Sequence, residues 1–155
     1  MRAFLSFWVP VLVWMAVIFG ASADAHSYEH SSRFVIPFLH WLFPQMPYWE
    51  MERIHHFLRK CCHVLEYAIF GFLIFRALSH SRNPLPPWSW PRVGGALLII
   101  SLYAASDEFH QRFVATRTPR VLDVCIDTVG GALGIGVAWI FHYYRKRKAV
   151  KEQKA

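Results

Sequence analysis

The chain has 155 residues, of which 55% are hydrophobic and 17% are charged, whereas a typical soluble domain has about 25% charged residues. This length and composition predict a single-domain membrane protein. The net charge of +7 does not indicate nucleic-acid binding, because six of the seventeen Lys and Arg residues lie in the terminal stretch 145–155. The three cysteines, Cys61, Cys62 and Cys125, have neither a disulfide framework nor a metal-binding spacing. Other side chains could offer metal ligands from different helices, but their spacing is diagnostic of no metal, so we name no metal and no cofactor: they are His63, Glu66, Asp107, Glu108, His110 and Asp123.

Apolar residues are concentrated in four blocks, roughly 3–21, 61–78, 93–106 and 121–144. With its flanking turns, each block comes close to the ~20 residues that a helix needs to cross a ~30 Å hydrocarbon core. The second and third blocks are weaker candidates for membrane spans, because each contains polar residues at one end. We predict an all-α, polytopic membrane bundle of about four transmembrane helices, with a transmembrane domain over residues 1–144 and a basic cytoplasmic tail over 145–155.

The first block is consistent with either a signal peptide or a permanent span. Arg2 precedes it and small residues follow it, as at a signal-peptide cleavage site. However, the apolar run of about eighteen residues is longer than the usual ~7–15, and it contains Trp8 and Trp14. We favour an uncleaved first span, and in either case the residues from 24 onward lie outside the membrane.

The Lys and Arg residues indicate the orientation. The N-terminus, the second connection and the C-terminal tail hold ten of the seventeen, and none of these flanks has an acidic residue before Glu152. The positive-inside rule therefore places both termini and the second connection in the cytoplasm of a multi-pass cell-membrane protein. The first and third connections then face the outside.

The first connection is long and contains an apolar, aromatic segment at residues 34–44. This segment is too short and too rich in proline to cross a bilayer. We predict an interfacial or re-entrant segment, with Trp41, Tyr48 and Trp49 at headgroup level. An aromatic plug that covers the mouth of the bundle is the alternative.

Polar residues gather at the outer end of the second and third spans. The chain becomes helical from Glu50, and the spacing of Lys60, His63 and Tyr67 places them on one broad face, with Glu66 three residues after His63. The third span runs outward from about residue 91, and its outer end carries three polar residues, Asp107, Glu108 and Gln111. A turn that contains Arg117 follows.

The last span begins at that turn. Thr118 before Pro119 predicts a helix start, and we expect the helix to end near Tyr144. Asp123 and Asp127 share a face, which continues as a stripe of small residues, Gly130, Gly131 and Gly134. This stripe lets a neighbouring helix come close, so the acids point into the bundle. The Gly130/Gly134 face could also hold a second copy of the chain in a homo-oligomer.

The predicted topology brings these polar groups to one outer site. An acidic side chain at the centre of an inserted helix costs about 2.5–3.5 kcal/mol, whereas a Leu or Ile returns only about 0.3–0.6 kcal/mol. Asp127 therefore needs partners, and the available donors are Lys60, His63, Gln111 and Arg117. Either the groups pair off in a network that only holds the helices together, or they bind or transform a polar group.

Two polar patterns resemble the VanZ-like family of small membrane proteins. They are Lys60-x-x-His63-x-x-Glu66-Tyr67 and Asp107-Glu108-x-x-Gln111-x-Phe113-x-x-x-Arg117, the latter followed by Asp123 and Asp127-Thr128-Val129-Gly130. The first span, with Ser22 soon after Trp14-Met15-Ala16-Val17-Ile18-Phe19, is also similar to that family's opening helix. The resemblance covers nearly the whole chain.

The resemblance implies little about chemistry, because the family is named for a protein linked to low-level teicoplanin resistance and its molecular activity is not established. Antibiotic resistance does not follow for this chain. Two positions depart from the family pattern: Ala115-Thr116 stands where the family often has Pro-Gly, and Asp127 stands where it often has Asn. The first departure alters the turn, and the second adds a charge.

Three functions remain open. In the first, the site binds or acts on a lipid headgroup or a lipid-linked cell-envelope precursor: Lys60 and Arg117 hold an anion, and His63 serves as a base oriented by Glu66 or by an aspartate. No serine or cysteine nucleophile stands at a diagnostic spacing, which weakens the enzyme reading. The second is a proton-coupled transporter that uses Asp127 and Glu66, and the third is a non-catalytic membrane scaffold.

Overall fold

The computed structural model describes residues 2–23, 27–80, 89–113 and 120–152, and its regular elements are all α-helices. There are five in these ranges: α1 (Arg2–Ala23), α2 (Ser27–Leu42), α3 (Tyr48–His80), α4 (Trp90–Gln111) and α5 (Val121–Glu152). The prediction of an all-α chain is confirmed for this part of the sequence.

Three of these helices are long and apolar enough to cross a membrane, through the stretches Phe4–Ser22, Tyr48–Ser79 and Val121–Phe141. They correspond to the first, second and fourth predicted spans. Helix α4, the third predicted span, has no stretch of comparable apolarity, since its last two turns carry Asp107, Glu108 and Gln111. A membrane-type bundle is therefore supported with three clear spans, fewer than the four that we predicted.

The ends of α4 and α5 follow local sequence signals in part. Ser89 precedes α4 with an extended backbone, and its carbonyl accepts the amides of Arg92 and Val93 at 3.0 and 3.1 Å. The predicted start of the last helix, Thr118-Pro119, lies outside the described residues. Helix α5 continues to Glu152, so the basic stretch extends the helix beyond the predicted end at residue 144.

The segment predicted to lie at the interface belongs mostly to α2, a 16-residue helix with Pro37 inside it. At ~1.5 Å per residue, α2 is about 24 Å long, which is short for a span. Leu39 packs inward, whereas Phe34, Phe38 and Trp41 are exposed. An apolar surface on a short helix suits an interfacial position, which stays a prediction.

Helix α3 is the centre of the bundle, because it contacts each of the other four helices and packs most extensively with α5. Glycines make that contact close. A Cβ atom on Gly130 would lie 2.6 Å from the Val64 carbonyl oxygen, and one on Gly134 would overlap the Ala68 carbonyl group. The predicted close approach of a helix to this stripe is confirmed, and the neighbour is α3 of the same chain. Association of a second copy stays a prediction.

Two hydrogen bonds fix α1 against the neighbouring helices. The Tyr103 hydroxyl donates to the Met15 carbonyl oxygen at 2.6 Å, and the Trp14 indole donates to the Glu66 carbonyl oxygen at 2.9 Å. The first joins α4 to α1 and the second joins α1 to α3. The polar ends of these three helices are thereby held side by side.

Candidate functional site: a polar cluster at one end of the bundle

Four helices bring polar side chains together at one end of the bundle. We call this group the polar cluster. Its members are Ser22 on α1, Lys60, His63 and Glu66 on α3, Asp107, Glu108 and Gln111 on α4, and Asp123 and Asp127 on α5. Eight of these nine residues were predicted from the sequence. The ninth predicted member, Arg117, lies outside the described residues.

A buried hydrogen-bonded group joins α1 to α4. The Ser22 hydroxyl donates to Asp107 Oδ2 at 2.7 Å, and Gln111 Nε2 lies 3.2 Å from the same oxygen and 3.3 Å from Ser22 Oγ. All three side chains are almost completely buried. Asp107 and Gln111 are one helical turn apart, which is why both reach the same serine. Hydrogen bonds to a charged acceptor in such a place are stronger than neutral ones.

Glu108 connects α4 to the start of α5. Its Oε2 atom accepts the backbone amide of Arg120 at 2.9 Å, and Arg120 is the residue directly before the helix. Amide groups at a helix start have no partner within the helix, and a carboxylate there also interacts favourably with the helix dipole. The Glu108 side chain therefore fixes where α5 begins relative to α4.

Lys60, which was predicted as a donor available to Asp127, forms an ion pair with Asp123. The distance between Lys60 Nζ and Asp123 Oδ1 is 2.7 Å, and the two side chains are 45% and 28% exposed. These residues form the accessible rim of the polar cluster. Their pairing joins α3 to α5 one turn before Asp127.

His63 and Glu66 lie side by side on α3, with 3.7 Å between His63 Nδ1 and Glu66 Oε2. The distance allows an ion pair when the histidine is protonated, and it is longer than a good hydrogen bond. Both side chains are partly exposed. Together with Lys60 and Asp123, they give the cluster four residues that a molecule from outside can reach.

Asp127 is the most deeply placed acid of α5, with only 3% of its surface exposed. Its carboxyl group interacts electrostatically with four others, those of Asp107, Glu108, Asp123 and Glu66. Acids from three helices thus surround one buried acid. The predicted inward direction of Asp127 is confirmed by its burial.

Metal ligation has no geometric support in the described part of the chain, where no group of three or more His, Cys, Asp or Glu side chains could hold a metal ion. His110, one of the metal ligands considered from the sequence, packs its ring against Phe19 at a centroid distance of 4.4 Å. Three carboxyl groups of the cluster accept hydrogen bonds from protein groups: Asp107 from Ser22 and Gln111, Asp123 from Lys60, and Glu108 from the Arg120 amide.

Ser22 is the member of the cluster that the sequence did not assign to the site. A single serine at the end of an apolar span has no spacing that marks it, and only the folded chain brings it beside Asp107. Tyr67 was noted on the polar face of α3 but was not assigned to the site. It is completely buried beside the cluster.

Comparison with known proteins gives one match. No curated protein and no solved structure matches the chain. The family model described as VanZ/LLP1 matches residues 7–142, which include every residue of the polar cluster. The match covers most of the chain, and it agrees with the resemblance of the two polar patterns. The chain is a member of the VanZ/LLP1 family.

Proposed function

We propose that this protein binds, at the polar cluster, the headgroup of a membrane lipid or a lipid-linked cell-envelope molecule on the extracytoplasmic face of the cell membrane. The observation that carries the proposal is the convergence of five acids, one lysine and one histidine from three helices of a membrane-type bundle. Ionisable groups in such helices are costly, and they commonly mark functional sites.

The proposed topology has four spans, with α4 as the third. Helix α4 has 22 residues, which gives about 33 Å at ~1.5 Å per residue, enough for a ~30 Å core. Packing against α1, α3 and α5 shields it from lipid on several sides, so it needs less apolar surface than a peripheral span. With both termini cytoplasmic, the polar cluster lies at the outer face.

The graded burial of the cluster suits a headgroup that enters from the membrane surface. Lys60 and Asp123 are partly exposed at the rim, and Asp127 lies one turn further along α5 and is nearly inaccessible. A ligand from the membrane surface would meet the rim first. Its acyl chains would stay in the bilayer that surrounds the bundle.

The cluster also offers a limited means of acting on a bound ligand. His63 lies beside Glu66, an arrangement in which a carboxylate can orient an imidazole that accepts a proton. Chemistry at the ligand would then use water as the nucleophile, activated by His63. Binding is the part of the proposal with the stronger support, because it needs only the rim and the buried acids.

The experiment is the identification by mass spectrometry of lipids and lipid-linked precursors that co-purify with the protein. We expect one class to be enriched with the wild type and lost with Asp123→Ala. Ser106→Ala is the matched control, since Ser106 is exposed, neighbours Asp107 and bonds only the Tyr103 carbonyl oxygen. Asp123→Ala protein that inserts at the normal level and retains the same lipid class would refute the proposal.

A scaffold is the second candidate, and the Ser22–Asp107–Gln111 group favours it, because such a group could exist only to fix α1 against α4. A scaffold predicts that substitutions in the cluster reduce protein abundance and cell phenotype in proportion. The binding proposal predicts variants that are present at normal abundance and lack the lipid. Measuring abundance and bound lipid in the same preparations separates the two.

A further inference from the structure

Tyr67 is the largest completely buried side chain in the described part of the chain, and it follows Glu66 of the polar cluster on α3. Its ring packs edge-on against Phe70, with the centroids 6.2 Å apart, and it also contacts Tyr103. The hydroxyl group has no hydrogen-bond partner among the described residues. A buried hydroxyl usually has one, because leaving it without a partner costs free energy.

The surroundings of this hydroxyl are acidic. Tyr67 interacts electrostatically with the carboxyl groups of Asp107, Asp127 and Glu108, which belong to α4 and α5. Tyr103, the next tyrosine in the core, differs, since its hydroxyl donates to the Met15 carbonyl oxygen at 2.6 Å. The same residue type is thus paired at one position and unpaired at the other. The unpaired hydroxyl belongs to the more deeply buried tyrosine, which interacts with three acids of the cluster.

Between the rim and this hydroxyl the polar groups form a series of decreasing exposure. Asp123 at the rim and Asp127 lie one turn apart on the same face of α5, and their carboxyl groups interact. Asp127 in turn interacts with Tyr67. The exposed fraction falls from 28% for the Asp123 side chain to 3% for Asp127 and 0% for Tyr67. The hydroxyl therefore lies at the closed end of the cluster.

We propose that Tyr67 is a ligand-binding residue at the closed end of the polar cluster, and that the ligand group that reaches it is a hydrogen-bond donor, a primary ammonium or a hydroxyl group. This inference rests on the proposed function. A carboxyl group offers acceptor oxygens in either protonation state, so a hydrogen-bond donor suits a position among these acids. A phosphate placed there would be repelled by the acids, and a trimethylammonium group has no N–H to offer. The phosphate of a lipid headgroup stays at the rim, near Lys60.

The test measures lipid binding by native mass spectrometry of the full-length, detergent-solubilised protein. Three probe lipids differ in their headgroup donors: phosphatidylethanolamine has a primary ammonium, phosphatidylglycerol has two hydroxyl groups, and phosphatidylcholine has neither. We expect the wild type to bind one of the first two at least about tenfold more tightly than phosphatidylcholine, as expected for one hydrogen bond to a charged group. Which one it prefers distinguishes the ammonium from the hydroxyl.

Two tyrosine variants show whether Tyr67 is responsible. Tyr67→Phe keeps the ring packing and removes the unpaired hydroxyl, so we expect it to lose the tenfold preference while its melting temperature stays the same or rises. Tyr103→Phe removes a paired hydroxyl, so we expect it to melt earlier and keep the preference. A Tyr67→Phe protein that keeps the wild-type preference would overturn the inference.

Failure of this inference can be distinguished from failure of the proposed function. If the wild type binds the three probe lipids equally while Asp123→Ala still loses its co-purifying lipid, the cluster binds lipid and the role of Tyr67 is wrong. If Asp123→Ala retains that lipid, the proposed function is wrong, and the inference fails with it.

Discussion

The packing of α5 on α3 predicts opposite effects for the same substitution at two glycines two residues apart. A Cβ atom on Gly134 would overlap the Ala68 carbonyl group and lie 2.9 Å from the Phe72 amide nitrogen, whereas one on Gly136 would meet nothing within 4 Å. Gly134→Ala must therefore move the helices apart. Gly136→Ala changes only the helix propensity. Both positions lie inside α5, so the gain in helix propensity from replacing Gly by Ala is the same in the two variants.

The magnitude follows from the geometry. Ordinary van der Waals contact begins at 3.4 Å. At Gly130 the nearest atom is 2.6 Å from the added Cβ, so the backbones of α3 and α5 would have to separate by about 0.8 Å there. The contact at Gly134 is closer, so the separation needed there is larger. Overpacking of this kind typically costs about 1–3 kcal/mol. Replacing Gly by Ala in a helix returns up to about 1 kcal/mol. We expect a net loss of stability for Gly134→Ala and a gain of up to about 1 kcal/mol for Gly136→Ala.

The assay is unfolding of the purified protein in mixed detergent micelles, followed by circular dichroism. Gly134→Ala should unfold at a lower fraction of denaturing detergent than the wild type, and Gly136→Ala at the same or a higher fraction. The backbone atoms around Gly134 belong to α3 and cannot move aside as a flexible side chain would. If Gly134→Ala is as stable as Gly136→Ala, the close contact between α3 and α5 is wrong.

Two further predictions concern hydrogen bonds of the polar cluster. Ser22→Ala should lower the free energy of unfolding by about 1.5–3 kcal/mol, since it removes a bond to a carboxylate, and Ser22→Ala combined with Gln111→Ala should cost less than the sum of the two. Glu108→Ala should cost about 1 kcal/mol through loss of the Arg120 amide contact, whereas Glu108→Gln retains an acceptor and most of that stability. Both are measured by the same unfolding assay.

Each of these two predictions has an outcome that would contradict it. Strictly additive effects at Ser22 and Gln111 would mean that the two side chains do not share Asp107 as an acceptor. Equal losses for Glu108→Ala and Glu108→Gln would mean that the negative charge of Glu108, and not its bond to the Arg120 amide, stabilises the start of α5.

The sequence predicted the helices and most of the polar cluster because both depend on regular spacing. Asp107 and Gln111, one turn apart on α4, both lie at Ser22, and Asp123 and Asp127, one turn apart on α5, both belong to the polar cluster. Lys60 was predicted as one of four donors available to Asp127, whereas the structure pairs it with Asp123. Its pairing with Asp123 depends on how far α3 is displaced along α5, and the Gly130 and Gly134 contacts fix that displacement.

The features that sequence reasoning missed depend on tertiary contacts alone. Ser22 joins the cluster because α1 ends beside the last turn of α4, and nothing in the first twenty-two residues specifies that neighbour. Helix α4, the third of the four predicted spans, has no stretch as apolar as those of the other three for a related reason. The prediction counted apolar residues along the sequence alone. In the folded chain, α4 packs against α1, α3 and α5, and this packing accommodates its polar residues.

Hydrogen-bond satisfaction within the cluster bears on the choice between scaffold and binding site. A network that served only to hold helices together would be expected to pair each buried polar group, because each unpaired one reduces the stability it supplies. Ser22 and Gln111 meet that expectation at Asp107, and Glu108 meets it at Arg120. Tyr67 does not, although it is more deeply buried than any of them. Positions where a local rule fails in a protein that otherwise follows it are often functional, and the Tyr67 hydroxyl is such a position, buried more deeply than the Lys60–Asp123 pair at the rim.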